Sequence, residues 1–214
     1  MSVEILDKLN TPVSTASQAL SGDCLIDEQS LKVLRELEKT QKDFWNLSRA
    51  SANFLNMLIK ISGAKNVLEV GTSNGYSGIW IAKALKHTAG ERGRLVTIEF
   101  SEQRIAMAKE NFKKCGVDDI ITIRQGSACE ILEEIYTNED FGFDFVFIDA
   151  NKREYIKYFD IISPKLRLGG IIVADNIISH AEKVAPFVEK IMSDSNYQVE
   201  ILDLPAGMLL AYKI

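Results

Sequence analysis

The chain has 214 residues, 46% of them hydrophobic, 26% charged and 8% aromatic, with a formal net charge of −5. This profile predicts a soluble globular protein of one domain, with a core large enough to stand without disulfides or structural metals. It excludes membrane spans, which need about 18 consecutive apolar residues. Nor does it offer the overall basic footprint that a nucleic-acid backbone demands.

The opening Met1-Ser2-Val3-Glu4 lacks the basic-then-apolar pattern of a secretory signal. Cys24, Cys115 and Cys129 form no CxxC pair and read as small buried thiols. Two histidines, His87 and His180, give a zinc hydrolase too few ligands. A reduced, cytoplasmic, disulfide-free protein is expected.

Two textures divide the chain. Residues 1–64 read as a helical segment that packs on the core formed by 65–214. Between Asp27 and Lys60, apolar residues recur at helical spacing (Leu31, Leu34, Leu37, then Phe54, Leu55, Leu58), which predicts two or three amphipathic helices. Ser62-Gly63 breaks the last of them. From Asn66 onward, β-rich runs alternate with helical patterns. The runs are Val67–Val70, Leu95–Glu99, Ile120–Arg124, Phe143–Asp149 and Ile171–Asp175. The helices are expected at Tyr76–Leu85, Glu102–Lys114, Ala128–Tyr136 and Arg153–Ile162. Near-continuous apolar strands alternating with helices imply a parallel, doubly wound sheet covered on both faces.

The end of the chain breaks the alternation. After a helix over Glu182–Ser193 come two strands, Tyr197–Leu202 and Met208–Tyr212, joined only by Asp203-Leu204-Pro205-Ala206-Gly207. A parallel crossover needs about a dozen residues, so these strands run antiparallel. A mostly parallel seven-stranded α/β sheet closed by a C-terminal antiparallel hairpin is the layout of the class I S-adenosylmethionine-dependent methyltransferase fold. A dinucleotide-binding sheet would continue in parallel.

The first strand leads into Gly71-Thr72-Ser73-Asn74-Gly75, a G-x-x-x-G loop that fits neither the dinucleotide pattern nor a Walker loop. S-adenosylmethionine has no phosphate for a helix N-terminus to hold. Its zwitterionic amino acid and sulfonium instead suit an acidic residue beside the loop, here Glu69. The glycines could also serve only a tight strand–helix turn. Glu99, ending the second strand, can accept two hydrogen bonds from ribose hydroxyls, or can simply precede the helix N-cap Ser101. Gly126-Ser127-Ala128 after the third strand leaves room for a flat base, or is a plain helix cap. Jointly the three strand ends trace one crevice at the carboxyl edge, where open α/β sheets bind ligands.

The fourth strand ends in Asp149 and the fifth in Asp175-Asn176. These are a hard, all-oxygen donor set at neighbouring strand ends, suited to Mg²⁺, with Mn²⁺ or Ca²⁺ as alternatives. Helix capping by Asp149 and an ordinary Asp-Asn turn is the competing reading. Lys152, three residues after Asp149, is a proton carrier in such a crevice or a solvated surface lysine.

From about Leu47 to Lys213 the sequence resembles the cation-dependent O-methyltransferases of the caffeoyl-CoA and catechol type, including their small bacterial relatives. The resemblance rests on Leu68-Glu69-Val70-Gly71 through Gly75-Tyr76-Ser77, and on Phe143 through Lys152 with Tyr155. It continues through Leu168-Gly169-Gly170, Asp175-Asn176 and Leu204-Pro205-Ala206-Gly207. It implies that Glu69, Gly71, Thr72, Ser77, Glu99, Ala128 and Asp149 bind S-adenosylmethionine. It implies that Asp149, Asp175 and Asn176 bind a divalent cation, that Lys152 and Asp149 are catalytic, and that the chain forms a homodimer. The acceptor it implies is a phenolic or catechol-like small molecule, with no nucleic acid or membrane partner. Two departures concern the acceptor pocket. Ser51-Ala52-Asn53 stands where plant members carry Glu-Gly-Gln, and the Trp-containing insertion after Asp-Asn is replaced by Ile177-Ile178-Ser179-His180. The alternative, a methyltransferase of RNA or protein, lacks both a basic face and an Asn/Asp-Pro-Pro-Tyr-like motif after the fourth strand.

Overall fold

The computed structural model describes residues 26–138 and 142–214. Cys24 and most of the chain before the first predicted helix fall outside them. Among the described residues three helices precede the sheet: α1 (Glu28–Lys39), α2 (Gln41–Phe44) and α3 (Arg49–Ser62). Asp27 caps α1 by accepting from the Ser30 amide, and Ser48 caps α3 by accepting from Ser51. Each cap satisfies an amide that the helix itself leaves without a partner.

The alternating region follows as β1 (Asn66–Val70), α4 (Tyr76–Ala89), β2 (Arg94–Glu99), α5 (Glu102–Lys114), β3 (Ile121–Gln125) and α6 (Ala128–Asn138). Then come β4 (Phe145–Ile148), α7 (Tyr155–Ile162), β5 (Ile171–Ala174), α8 (Ala181–Ser193), β6 (Tyr197–Leu202) and β7 (Met208–Lys213). Among the described residues the strands form one seven-stranded sheet in the order β3-β2-β1-β4-β5-β7-β6. The first five are mutually parallel, and β7 runs antiparallel to both β5 and β6. The short link between the last two strands therefore does what its length dictates.

Side-chain alternation explains the two layers. Val67, Phe145, Phe147 and Val173 face one hydrophobic cluster, which also holds Leu34, Leu55, Ile59, Ile79 and Trp80 from α1, α3 and α4. Leu68, Val70, Val146, Ile148 and Ile172 face the other, with Leu132, Phe159 and Phe187 from α6, α7 and α8.

Most boundaries shift by one to four residues from the sequence reading, and two of the shifts bear on the site and its strand. The fourth strand shortens from Phe143–Asp149 to Phe145–Ile148. Asp144 is taken out of it because its carboxylate accepts from the Lys65 and Asn66 amides at 2.7 and 2.9 Å and pairs with Arg167 at 2.7 Å. The helix expected from Arg153 begins instead at Tyr155, after a 3₁₀ turn over Lys152–Glu154 capped by Asn151. That turn directs Lys152 back toward the strand end.

The strand order reverses between β1 and β4, so a crevice opens at their carboxyl ends.

Candidate active site

A cavity of about 730 Å³ occupies that edge, a volume ordinary for a small-molecule site. Gly71, Thr72, Ser77, Glu99, Ala128, Asp149 and Lys152, all singled out from the sequence, line it. Glu69, Asp175 and Asn176 do not.

The floor is built by the glycine loop. Gly71 has φ 108, and a Cβ there would run into the Asp149 carbonyl, with the carbonyl carbon only 2.8 Å away. Only glycine lets β1 and β4 end so close together. The amides of Gly71 and Thr72 both donate to the Ile98 carbonyl, at 3.0 and 3.1 Å, which anchors the loop on β2.

Glu99 is held by the backbone. Its Oε2 accepts from the Ser73 amide at 2.8 Å, and its Oε1 from Phe100 and Ser101 at 3.1 and 2.9 Å. Oε1 thus has both its acceptor sites filled, while Oε2 keeps one for a further donor, and the group lines the cavity. A ligand hydroxyl is the partner that such a preset carboxylate fits. Ser101 also caps α5, at 3.4 Å from the Arg104 amide, so the capping reading and the ligand reading are compatible.

Glu69 sits beneath the loop rather than in the cavity wall. It is wholly buried, with Ser77 Oγ 2.5 Å from one oxygen and Thr97 Oγ1 2.6 Å from the other. Burial pushes its carboxyl up to about 7. The two hydroxyls oppose that rise, and Asp149 and Glu99 add to it. Direct contact with a ligand in the cavity, as the resemblance implied, is not the role this placement gives it.

At the other end, Asp149 carries Lys152 on Oδ1 at 2.7 Å, both side chains largely covered. The Lys152 ammonium also lies 5.8 Å from the Tyr155 ring. Tyr155 is buried, and its hydroxyl bridges the Ile148 and Asp175 carbonyls at 3.4 and 3.3 Å, tying the ends of β4 and β5 together. Asp175 is 3% exposed. One of its oxygens accepts from the Asn176 side-chain Nδ2 at 2.9 Å, while the other, Oδ1, is buried with no hydrogen-bond partner. Burial and the Asp149 charge push Asp175 up to about 7. Asn176 has φ 66, a left-handed conformation that asparagine tolerates better than most residues. No cluster of three His, Cys, Asp or Glu occurs among the described residues. A cation here would have two carboxylates and an amide oxygen. The donor chemistry and the orphaned Asp175 oxygen fit a hard divalent ion.

The family model for O-methyltransferases matches residues 21–214. The chain belongs to the O-methyltransferase family. It is 36% identical over 152 residues to a catechol O-methyltransferase of Niastella koreensis, covering 71% of this chain and 67% of that one. It is also 36% identical over 165 residues to caffeoyl-CoA O-methyltransferase 1 of Arabidopsis thaliana, covering 75% of this chain but 61% of that protein. In three dimensions it resembles the Bacillus cereus O-methyltransferase solved in complex with S-adenosylhomocysteine (SAH). The TM-score is 0.82 at 28% identity, covering 94% and 96% of the two chains.

Several residues of this O-methyltransferase escaped the sequence reading. Trp45 lines the cavity, is 71% exposed, and has φ 59, a left-handed conformation rare for an aromatic residue. His180 faces it with ring centroids 6.4 Å apart. Burial and the charges of Lys152 and Lys183 push the imidazole below its ordinary value. The replaced insertion thus still contributes a ring to the mouth. Its backbone is held where Ile178 and Ser179 donate to the Ala206 carbonyl. Residues 51–53, the other departure, do not line the cavity. Neither Trp45 nor Thr97 belongs to a motif whose spacing marks it. Of the cysteines, Cys115 is buried and Cys129 partly so.

Proposed function

We propose that this O-methyltransferase transfers a methyl group from S-adenosylmethionine to a hydroxyl of a catechol-like small molecule, aided by a divalent cation, best Mg²⁺, at Asp149, Asp175 and Asn176. One observation carries the reading. Asp149 faces the cavity beside the Lys152 ammonium, and its charge acts on the buried Asp175, one oxygen of which has no hydrogen-bond partner. An anionic pair of this kind is stable when a cation completes it.

When bound, the donor supplies an electrophilic methyl carbon, and the cation supplies Lewis acidity that acidifies an acceptor hydroxyl. The chain's own residues do the rest. Glu99, preset by three backbone amides, receives a ribose hydroxyl of the donor on its remaining acceptor site. The Gly71–Ser77 loop and Ala128 give the donor close contact with the main chain. The proton released by the acceptor would go to Lys152 Nζ in its neutral amine form, with Asp149 holding that amine at the cavity wall. Trp45 and His180 supply ring surfaces for a planar acceptor at the mouth. Holding both reactants in one pocket supplies proximity and orientation.

The relatives named above are enzymes of small phenolic substrates by their names, which favours this reading over an RNA or protein acceptor. No helix among the described residues is long and apolar enough to cross a membrane. A homodimer is part of the proposal, and light scattering at about twice 23.9 kDa would support it. The deciding experiment assays catechol methylation with and without Mg²⁺ and excess chelator, while calorimetry follows SAH binding. Full turnover in excess chelator removes the cation. Turnover of oligonucleotide or protein but not of catechols removes the acceptor class.

A further inference from the structure

Thr97, in β2, is wholly buried and does not line the cavity. Its hydroxyl oxygen lies 2.6 Å from Glu69 Oε2 and 2.6 Å from Thr72 Oγ1. A hydroxyl owns one proton, and Glu69 in its ionised form, the state favoured above about pH 7, only accepts. The Thr97 proton therefore goes to Glu69, and Thr97 is left to accept the proton of Thr72. The chain Thr72 to Thr97 to Glu69 has one direction, and Ser77 donates to the other Glu69 oxygen.

Both outer ends of this network, Thr72 and Ser77, line the cavity, while its centre does not. Among the charged groups that act on Glu69 are Asp149 and Glu99, both anions. A carboxylate buried in that company is costly, and nothing in the core around it requires an acid. The glycine loop supplies a reason for it, because a fixed acceptor below the loop fixes the hydroxyls above it.

We propose that Thr97 is a positioning residue for the methyl donor: its hydroxyl couples Thr72 to Glu69 and so sets the cavity-facing side of the glycine loop. The proposal rests on the donor reading above. Thr97→Val keeps the β-branched shape that a strand favours and removes the hydroxyl. It leaves the Thr72 hydroxyl and one Glu69 oxygen without their partner. The Gly71 and Thr72 amides keep their bonds to the Ile98 carbonyl, so the loop loses its side-chain anchor and retains its backbone one.

The test titrates SAH into wild type, Thr97→Val and Thr97→Ser by calorimetry, and measures steady-state kinetics on a catechol. Thr97→Val is expected to raise the Kd for SAH and the donor KM about tenfold, an effect in the range of one lost buried partner. The acceptor KM should shift less than about twofold, and Thr97→Ser should recover the wild-type donor KM to within about twofold. Three results overturn the proposal: wild-type SAH affinity in Thr97→Val, no recovery in Thr97→Ser, or donor and acceptor KM rising together. If Thr97→Val loses its cooperative melt, Thr97→Cys takes its place with the same expectation, since a thiol is a weak donor and acceptor. A wild type that fails to bind SAH sinks the donor reading and the proposal with it. A wild type that binds SAH, with valine indifferent, sinks the proposal alone.

Discussion

Replacing Glu69 by glutamine probes the electrostatics beneath the glycine loop. Burial lifts this carboxyl from 4.5 to about 7, against the Ser77 and Thr97 hydroxyls and with help from Asp149 and Glu99. Between those two pH values the folded protein holds a proton that the unfolded chain has already released. By linkage, stability from this group is greatest below the unfolded pKa and falls as pH rises toward the folded one. The full cost above pH 7 is about 3 kcal/mol. Glutamine is neutral throughout and escapes it. Asp175, also raised to about 7, gives a slope of the same sign, but it is present in both proteins and cancels in their difference. Urea denaturation of wild type and Glu69→Gln, compared from about pH 4.5 to about pH 8, should show the difference moving in favour of the variant by about 3 kcal/mol. Parallel stability curves would refute the reasoning. They would mean that Glu69 keeps its charge in the fold at little cost, through solvation the structure does not display.

Asp149→Ala should abolish catechol turnover while weakening SAH binding by less than about tenfold in calorimetry, because Glu99 and the glycine loop remain. Gly71→Ala should lower stability by about 2 kcal/mol or more in thermal melts and remove SAH binding, since its methyl group meets the Asp149 carbonyl at a positive φ. Asp144→Ala strips two backbone amides and Arg167 of their acceptor at the opposite edge of the sheet. It should cost about 2 kcal/mol in denaturant titration and leave SAH affinity unchanged. Trp45→Ala should raise the acceptor KM about threefold or more with the donor KM unaffected, as expected when a ring surface is lost from one end of the pocket only.

The layered sheet was legible because its signals are local and redundant. Val67–Val70 and Phe145–Ile148 each alternate between two buried faces, so they read as doubly covered strands wherever their ends fall. The terminal hairpin was legible from loop length alone. The boundary errors have local causes that periodicity does not carry. Asp144 looks like part of an apolar run, yet its acceptors are claimed by Lys65 and Asn66, far away in sequence. Glu99 and the glycine loop were legible as cavity residues because strand ends in a parallel sheet converge by construction. Trp45 was not, because it arrives from a four-residue helix whose position depends on tertiary packing and on a left-handed turn.

The three buried acids near the carboxyl edge were given different roles from sequence, and their chemistry diverges with their surroundings. Glu99 is satisfied by backbone amides, a permanent arrangement. Glu69 is satisfied by hydroxyls, of which Ser77 lines the cavity and Thr97 connects to it through Thr72, so its charge state and the loop's orientation are linked. Asp175 is satisfied on one oxygen only, beside a second carboxylate. Amides offer a fixed donor to the acid, hydroxyls a proton that can be redirected, and an unpartnered oxygen nothing at all. The need for an outside partner therefore rises from Glu99 through Glu69 to Asp175. On this ordering the ribose contact at Glu99 should withstand substitution of its neighbours, the glycine loop should respond to changes at Thr97, and the Asp149–Asp175 pair should depend most on what the solution contains. Stability measured with and without Mg²⁺ separates these cases. Wild type should gain from the ion, Glu69→Gln should gain equally, and Asp175→Asn should gain least.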